Sequence, residues 1–303
     1  MKYRAQAPLR IDFGGGWSDV PVFAESDPDG GAVLNAAITV YARGYIIRPE
    51  PRRGLGVKLP GSKHVVRYEL DAPAGAGLGA SAAQTLLWLT LVKTTIANVS
   101  ERRDLAERAW RVENELGILG GKQDHYASAM GGISYMTFGE STTVESLKPD
   151  FEFCEELERR LVLVYTGTRR LSGDIHEAVW GRYESGDAAI VEPLRELRRL
   201  AGEMREALMT RDLEALARLM NRNWSCQKRL HHSITNEGLD HLVALGLRSG
   251  ARAAKACGAG GGGCLLFLTE EGARSRVGEA LTAAGAMVIP FLFDWYGVHL
   301  TKG

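Results

Sequence analysis

The segment PAGAGLGASAA, residues 73–83, places glycine at every second position and then a serine among alanines. Glycine tolerates positive φ and lets backbone N–H groups approach a bulky anion, so such a turn is a common phosphate site. Residues 81–99 are mostly apolar and lack proline, which predicts a helix whose positive N-terminal end faces the same anion. The alternative is a tight strand-to-helix turn that only packs closely, and a lone glycine run is more typical of that turn.

The composition is that of an ordinary globular protein. The 303 residues are 45% hydrophobic and 24% charged, and the length predicts two domains. Because 37 basic residues balance 37 acidic ones, no basic field indicates a nucleic-acid partner. The charged residues 1–13 lack the apolar stretch of a signal peptide, and the charge-free run at 80–92 is too short to cross a bilayer. We therefore expect a cytoplasmic protein with no membrane partner.

The four cysteines show no spacing typical of a metal site. Cys257 and Cys264 flank a glycine run, where we expect them to act as small apolar packing residues. This usage favours a reducing compartment.

The hydrophobic pattern divides the chain into a strand-rich start, central helices and a mixed second half. The first half predicts strands at 2–13, 32–50, 64–70 and 131–138, and helices at 81–99 and 101–116, the second with Ser100 as N-cap. The sequence pattern changes at 149–155, so we place one domain at 1–153 and another at 154–303. The second half predicts helices at 187–230, 239–250 and 271–284, and strands at 161–167, 256–270 and 287–300. The arrangement is α+β.

Three further segments carry unusual chemistry. APLRIDFGGGWSDVP at 7–21 joins a strand to a glycine turn, 112–132 places charged side chains on a loop after a helix, and 255–268 has five glycines in six positions. Each alone has a structural explanation: a turn, solvated charges or a close backbone crossing. Their presence together in one chain favours a functional interpretation.

Two common phosphate motifs fit this chain poorly. Residues 75–80 match the dinucleotide fingerprint, with Glu101 about twenty residues on, but an amphipathic helix follows where the fingerprint needs a second strand. In the segment 120–123, Lys122 is followed by Gln123, whereas a Walker A loop needs Ser or Thr there.

The order APLRIDFGGGWSD, PAGAGLGASAA, CGAGGGGCLLF resembles the three signature motifs of the GHMP kinases, which include galactokinase and homoserine, mevalonate and phosphomevalonate kinases. Within that family, GGKQDHYASAMGGISYMTF at 120–138 and the segment 221–263 are similar to the D-glycero-D-manno-heptose 7-phosphate kinase branch. GGWSDVP at 15–21 is instead similar to the L-fucose kinase branch. The resemblance runs from residue 5 to about 300.

The resemblance implies a two-domain α+β fold with the active site in the cleft between the domains. The N-terminal domain resembles ribosomal protein S5 domain 2, and the C-terminal domain is ferredoxin-like. ATP and Mg²⁺ are the implied cofactors, and a small-molecule sugar or sugar phosphate is the implied partner. A homodimer is a further expectation.

By this resemblance, the glycine turn wraps the ATP phosphates and Ser81 is a Mg²⁺ ligand. The family usually has two hydroxyl residues after GLG, but the first is here Ala80, so Ser81 or water must supply the missing oxygen. Glu113, eleven residues before Asp124, matches the other metal ligand; the alternative is a solvated carboxylate on an amphipathic helix. The implied ATP-binding residues are Pro73, Gly75, Ala76, Gly77, Leu78, Gly79, Ala80 and Ser81.

Asp124 is the implied catalytic carboxylate, because a sugar hydroxyl is a poor nucleophile that a carboxylate orients and deprotonates. Arg10 matches an arginine beside the transferred phosphate, where a guanidinium stabilises charge. Lys122 either shares that role or is a surface lysine.

The implied sugar site begins with Trp17, Ser18 and Asp19, since a carboxylate accepts two hydroxyls and an indole covers a sugar ring. The glycine run forms the cleft floor, and TGTRRLSGDIHE at 166–177 resembles a heptose kinase segment near the sugar. The remaining implied substrate residues are Asp124, Thr168, Arg169, Arg170, Gly258, Gly260 and Gly261.

The main functional prediction is an ATP-dependent kinase acting at an anomeric hydroxyl, most similar to D-glycero-D-manno-heptose 7-phosphate 1-kinase. An L-fucose or other free-sugar 1-kinase is the first alternative. A catalytically silent sugar and ATP sensor is the second, favoured only by Ala80. A GHMP kinase of isoprenoid metabolism fits the polar GGWSD cluster less well.

Overall fold

The computed structural model describes residues 3–47, 56–58, 65–93, 98–168 and 173–302. The strands in that part of the chain are β1 (Tyr3–Gly14), β2 (Gly31–Ile47), β3 (Gly56–Lys58), β4 (Val65–Leu70), β5 (Ile133–Phe138), β6 (Thr143–Leu147), β7 (Leu161–Tyr165), β8 (Ala251–Ala256), β9 (Cys264–Thr269), β10 (Met287–Val288) and β11 (His299–Lys302). The helices are α1 (Pro21–Ala24), α2 (Ala80–Lys93), α3 (Val99–Glu115), α4 (Gln123–Met130), α5 (Phe151–Arg160), α6 (Gly173–Glu184), α7 (Ala188–Met209), α8 (Leu213–Leu230), α9 (Glu237–Arg248) and α10 (Arg274–Ala283).

The first sheet is antiparallel, with the order β11-β1-β2-β4-β3, while β5 pairs with β2 and β6 with β5. The long strand β2 makes this branching possible, because it pairs with β5 near its start and with β4 near its end. Along β1, Leu9, Ile11 and Phe13 are fully buried in the core. Since side chains alternate along a strand, Arg10 and Asp12 share the opposite face, and they too are buried. Strand β1 therefore presents charged groups to another part of the protein.

The second sheet is also antiparallel, with the order β10-β7-β9-β8. Every residue of β9 is buried, as are the first four of β7. Helices α8 and α9 pack against β8, α10 packs against β7, and α7 packs against both α8 and β2. The α+β prediction is confirmed, and α7 connects the two sheets.

Several local predictions need correction. The N-cap of α3 is Asn98, whose side chain accepts from Glu101 N at 2.9 Å, and Ser100 lies inside the helix. The predicted loop at 122–125 is the start of α4. The helical stretch 187–230 is two helices, separated by a turn in which Arg211 has φ 61°. Periodicity missed this break because both helices carry the same apolar spacing.

The proposed division at residue 153/154 falls inside α5, and the sheets change between β6 and β7. The last strand, β11, returns to pair with β1 of the first sheet. The boundary therefore stays a prediction, and the C-terminal residues belong to the first sheet. Sequence texture does not reveal such a return, because strand pairing joins residues at opposite ends of the chain.

Two smaller expectations concern the membrane and the cysteines. No helix among the described residues is long and apolar enough to cross a membrane. All four cysteines are buried and free, which agrees with the packing role predicted for Cys257 and Cys264.

Candidate active site

The glycine turn at 73–79, which we call the phosphate turn after its predicted role, leads directly into α2. Gly75, Gly77 and Gly79 have φ values of 77°, 74° and 77°, so each uses the conformation that favours glycine. Gly79 O accepts from Ala83 N, and the first turn of α2 therefore directs unpaired N–H groups outward. This geometry suits an anion at the start of the helix. The turn residues that line the adjoining cavity are Gly75, Ala76, Gly77, Gly79, Ala80 and Ser81.

Two residues of the predicted ATP site, Pro73 and Leu78, do not line the cavity. Leu78 is fully buried in the core, and its carbonyl accepts from Arg10 N at 3.1 Å. Pro73 O accepts from Ala76 N at 3.2 Å, which closes the turn. Neither side chain lines the cavity, so both support the turn from behind.

The glycine run 258–263 supports the same turn from the second sheet. Cys264 N donates to Ala76 O at 2.8 Å, and a Cβ on Gly263 would lie only 2.6 Å from that oxygen. Gly258 lines the cavity, as predicted for the cleft floor. Gly260 and Gly261 do not: they pack against the backbone of residues 233–234, and a Cβ on Gly260 would lie 2.7 Å from a carbonyl oxygen there. In the structure they serve close backbone packing, and their substrate role stays a prediction.

Arg10 and Asp124 meet beside the phosphate turn, although 114 residues separate them. Arg10 Nε donates to Asp124 Oδ1 at 2.7 Å, and Arg10 Nη1 donates to Gly77 O at 2.7 Å. Burial lowers the pKa of Arg10, but Asp124 and Asp12 outweigh it and hold that pKa above its ordinary value. A Cβ on Gly79 would lie 3.3 Å from Asp124 Oδ2. The carboxylate thus lies between a permanent cation and the phosphate turn.

Glu113 and Ser81 are also in contact. Glu113 Oε1 accepts from Ser81 Oγ at 2.6 Å and from Thr85 Oγ1 at 3.1 Å, while Oε2 lies 3.0 Å from His125 Nε2. Burial raises the pKa of Glu113, but the hydrogen bonds and the charge of His125 lower it by more. The pKa of Glu113 therefore lies below its usual range. The alternative of a solvated carboxylate is wrong, because Glu113 is buried. The pair presents two oxygen atoms near the start of α2, and oxygen atoms are the ligands that a hard cation binds.

A second carboxylate, Asp19, lies in the same cavity. Its Oδ2 accepts from Gln123 N at 3.1 Å, and its Oδ1 accepts from Gln123 Nε2 at 3.2 Å. Burial, and next the charge of Asp124, raise the pKa of Asp19 to about 6. A Cβ on Gly121 would overlap this carboxylate at 1.7 Å, so the glycine is required there.

Trp17 and His176 form an aromatic wall of the cavity. Their rings stack with centroids 4.5 Å apart, and Trp180 Nε1 donates to His176 Nδ1 at 3.3 Å. Trp17 has φ 81°, an uncommon conformation for a bulky residue and one that clusters at functional sites. Ser18 does not join this wall: it is fully buried, and its hydroxyl bonds the backbone of Gly15 and Ala32. In the structure Ser18 holds the turn, and its sugar-binding role stays a prediction.

Two other predicted residues, Lys122 and Thr168, stand apart from the cavity lining. Lys122 Nζ lies 4.2 Å from the centre of the Trp110 ring and 3.5 Å from Glu107 Oε1. This placement argues against the catalytic role and favours the structural alternative. Thr168 is exposed, and its carbonyl accepts from Gly263 N at 2.9 Å. Arg169 and Arg170 lie outside the described residues.

Sequence reasoning gave no role to Gln123, His125, His176, Asp12 or Lys255. The first two had a signal, because they flank Asp124 in the quoted segment QDH. His176 lies in the quoted segment 166–177, but its contact with Trp17 left no signal, since only folding brings α6 against the turn that holds Trp17. The described part of the chain contains no group of three or more His, Cys, Asp and Glu side chains arranged for a metal. A single carboxylate with a hydroxyl suits Mg²⁺, which usually keeps waters and phosphate oxygens as its other ligands.

The cavity that these groups border or support has a volume of about 290 Å³. Its walls combine the phosphate turn, the Arg10–Asp124 pair, the Ser81–Glu113 pair and the Trp17–His176 wall.

Residues 38–132 match the GHMP kinases N terminal domain, and residues 204–286 match the GHMP kinases C terminal domain. The chain belongs to the GHMP kinase family. This GHMP kinase is therefore an ATP-using phosphotransferase with an alcohol group as acceptor.

Curated relatives match the chain at modest identity. A D-glycero-alpha-D-manno-heptose 7-phosphate kinase from Campylobacter jejuni is 29% identical to this GHMP kinase over 97% of both chains. A bifunctional fucokinase/GDP-fucose pyrophosphorylase from Arabidopsis thaliana is 26% identical over 90% of this chain, which spans only 30% of that larger protein.

Among solved structures, a D-glycero-D-manno-heptose 1-phosphate kinase from Bacteroides thetaiotaomicron superposes on this GHMP kinase with a TM-score of 0.75. The two share 25% identity, and the match covers 99% of each chain. The predicted two-domain GHMP kinase fold is confirmed.

Proposed function

We propose that this GHMP kinase is a sugar kinase that transfers the terminal phosphoryl group of ATP to the anomeric hydroxyl of D-glycero-D-manno-heptose 7-phosphate. The observation that carries the proposal is the Arg10–Asp124 pair, which lies beside the phosphate turn in a cavity that Trp17 and Asp19 also line. A hydroxyl held there faces both a carboxylate and a bound phosphate chain. A cytoplasmic location and a homodimer remain predictions.

The chemistry follows from the two oxygens of Asp124. Arg10 Nε occupies Oδ1, which leaves Oδ2, beside Gly79, to accept the hydrogen bond of the sugar hydroxyl. The carboxylate orients that oxygen and takes its proton as the new P–O bond forms. The Arg10 guanidinium stabilises charge on the transferring group, and catalysis rests mainly on positioning.

Ser81 and Glu113 are the residues that would hold Mg²⁺. Their oxygens, 2.6 Å apart, lie at the cavity end of α2, beside the proposed phosphate position. Mg²⁺ held there would neutralise phosphate charge. His125, 3.0 Å from Glu113 Oε2, fixes the orientation of the carboxylate. Ala80 provides no side-chain oxygen, so Ser81 or water would supply the oxygen that the family's first hydroxyl residue usually provides.

Two observations bear on the acceptor. Similarity to the heptose 7-phosphate kinase over 97% of both chains supports the phosphorylated heptose. The Trp17 motif and the similarity to the fucokinase support L-fucose as the second candidate. A sugar phosphate needs a cationic partner for its distal dianion, and the sequence prediction for that partner is Arg169 with Arg170.

A coupled ADP-release assay with Mg²⁺-ATP tests the proposal across hexoses, heptoses and their phosphates. We expect the highest kcat/KM with D-glycero-D-manno-heptose 7-phosphate. A clear preference for L-fucose would replace that substrate with the second candidate. Tight ATP binding without ADP release against every acceptor would indicate the sensor.

Replacement of both Arg169 and Arg170 by alanine separates the two acceptors further. The KM for the heptose phosphate should rise about 10–100-fold, the effect of losing charge-assisted hydrogen bonds, while the KM for ATP stays the same. Activity on unphosphorylated sugars should not fall. Unchanged KM values for both substrates would contradict a phosphate site at these arginines.

A further inference from the structure

A buried series of alternating charges extends from the second sheet to Asp124. Lys255 Nζ donates to Asp12 Oδ2 at 2.6 Å and to Asp12 O at 2.9 Å. Arg10 Nη1 lies 4.0 Å from Asp12 Oδ1, and its Nε bonds Asp124. The side chains of Lys255, Asp12 and Arg10 are at most 3% exposed. The series Lys255, Asp12, Arg10, Asp124 thus joins β8, β1 and α4.

Asp12 connects the series to both Lys255 and the backbone of the glycine run. Its Oδ2 takes the Lys255 ammonium, and its Oδ1 accepts from Gly258 N at 3.1 Å, where the glycine run begins. Burial raises the pKa of Asp12, but Lys255 and Arg10 outweigh it and hold that pKa below its ordinary value. The third ammonium proton of Lys255 goes to Ala256 O at 2.9 Å. Lys255 is therefore fully satisfied and fixed in place.

The distances from the Arg10 guanidinium to Asp124 and to Asp12 show which carboxylate binds Arg10. Asp124 lies at hydrogen-bond distance from the guanidinium, whereas Asp12 lies at 4.0 Å. In a buried environment, the attraction between unit charges at such distances is strong. If Lys255 did not neutralise Asp12, that carboxylate would compete with Asp124 for the same guanidinium. A shift of Arg10 toward Asp12 would move both the cation and the base away from their reacting positions.

We propose that Lys255 and Asp12 are positioning residues for phosphoryl transfer: Lys255 neutralises Asp12 and so leaves Arg10 bound to Asp124. This inference rests on the roles proposed above for Arg10 and Asp124. It assigns a function to the lysine that precedes the glycine run and couples the second sheet to the reacting groups. The packing of the two domains thereby sets the geometry of the catalytic pair.

Two variants test the charge argument. Lys255→Met keeps the length and apolar stem of the side chain but leaves Asp12 without its partner. We expect kcat to fall about 10–100-fold, as for a small misplacement of reacting groups, with the KM for ATP within twofold of wild type. In Asp12→Asn/Lys255→Met, both charges are removed and the Asn oxygen still accepts from Gly258 N. We expect its kcat to recover to within about fivefold of wild type, since Arg10 again has one carboxylate partner.

Asp27→Asn is the matched control. Asp27 is a buried carboxylate whose Oδ2 accepts from Arg195 Nε at 2.7 Å, and neither residue lines the cavity. This control should lower the melting temperature and leave kcat unchanged.

A second readout needs no turnover. The ¹⁵N–¹H signal of Arg10 Nε, identified by its loss in Arg10→Lys, reports the bond to Asp124. It should move in Lys255→Met, return in the double variant and stay fixed in Asp27→Asn. Because this signal does not depend on the acceptor, it still tests the inference if the proposed substrate is wrong.

The inference fails if folded Lys255→Met has kcat within twofold of wild type and an unmoved Arg10 signal. It also fails if the double variant is no more active than Lys255→Met. Should Lys255→Met not fold, the double variant decides alone. If the double variant has a kcat within about fivefold of wild type and the wild-type Arg10 signal, the inference is supported. If its kcat lies below that range or its Arg10 signal has moved, the inference is overturned.

Discussion

The two sides of the cavity hold their carboxylates in opposite ways. On the transfer side, defined by Arg10, Asp124, Ser81 and Glu113, each carboxylate contacts a strong donor such as a guanidinium or a hydroxyl. On the acceptor side, defined by Trp17, Asp19 and His176, Asp19 is held by the neutral amides of Gln123. Its pKa is raised to about 6, first by burial, whereas the pKa of Glu113 is lowered.

This difference indicates a division of labour. Fixed charges beside the phosphate turn suit the stabilisation of charge that develops during transfer. A desolvated carboxylate in a cavity that Trp17 and His176 also line suits the binding of hydroxyl groups, which donate further hydrogen bonds to it. We therefore expect changes on the transfer side to lower kcat or raise the metal requirement, and changes on the acceptor side to raise the KM for the acceptor.

The largest effect is expected for Asp124→Asn. The substitution keeps the size of the side chain but removes the charge and the proton acceptor, so kcat should fall about 10²–10⁴-fold. ATP affinity, measured by calorimetry, should change little. An Asn variant with near-wild-type kcat would show that the transfer side does not depend on this base.

Glu113→Gln should raise the Mg²⁺ concentration needed for half-maximal activity about 10–100-fold. The substitution removes the anionic oxygen that Ser81 contacts. Mn²⁺ binding in the presence of ADP, followed by electron paramagnetic resonance, provides a readout without turnover. Glu115→Gln, at an exposed position of the same helix, is the control and should behave as wild type. Equal metal requirements in both variants would exclude Glu113 as a ligand.

Asp19→Asn should raise the KM for the acceptor about 10–100-fold, the cost of losing charged hydrogen bonds, and leave kcat nearly unchanged. In the wild type, that KM should rise about tenfold for each pH unit below 6, as Asp19 is protonated. The variant should lack this dependence. A large loss of kcat instead would remove the distinction between the two sides.

Asp19→Asn should also change the thermal stability of the protein. Because the folded-state pKa lies above the ordinary value of 3.8, the native protein binds this proton more tightly than the unfolded chain. The Asp19 charge therefore destabilises the fold at pH 8, and the destabilisation fades as the pH falls through 6. Asp19→Asn should accordingly melt at a higher temperature than wild type at pH 8, with a smaller difference at pH 4.

The smallest effects come from a matched glycine pair. Gly79 and Gly117 both have φ 77°, so alanine at either position should cost about 1–2 kcal/mol of unfolding free energy. A Cβ at Gly79 would lie 3.2 Å from Asp124, whereas one at Gly117 meets nothing within 4 Å. Gly79→Ala should therefore also lower kcat about tenfold through a small displacement of Asp124. Equal kcat values in the two variants would show that Gly79 serves only the backbone.

Local sequence was most informative where short-range chemistry decides the structure. The alternating glycines predicted positive φ and a following helix, because only glycine adopts that conformation without strain. Strand alternation predicted β1 and β2 nearly to their ends. The same reasoning failed at α4, where a short helix follows two glycines and has too few residues to show a period.

The second glycine-rich run shows the limit of composition. Gly258 lines the cavity as predicted, but Gly260 and Gly261 pack against another backbone segment, and Gly263 packs against the phosphate turn. All of these uses require the absence of a side chain, so glycine content cannot separate substrate contact from backbone crossing. Lys122 is a similar case: its nearness to Asp124 in sequence suggested catalysis, yet its ammonium lies over Trp110.

The sequence by itself determined the phosphate turn, the α+β class and, through the motif resemblance, the carboxylates that line the cavity. These follow from backbone preferences and side-chain chemistry within a few residues. Only the tertiary structure decided that Arg10 bonds Asp124 across 114 residues, and that Lys255 bonds Asp12 across 243. Such contacts depend on strand register and on how the two sheets pack, and neither leaves a periodic trace along the chain. The physical reason is burial: once removed from water, each charge must find a partner, and the fold alone determines which partner is within reach.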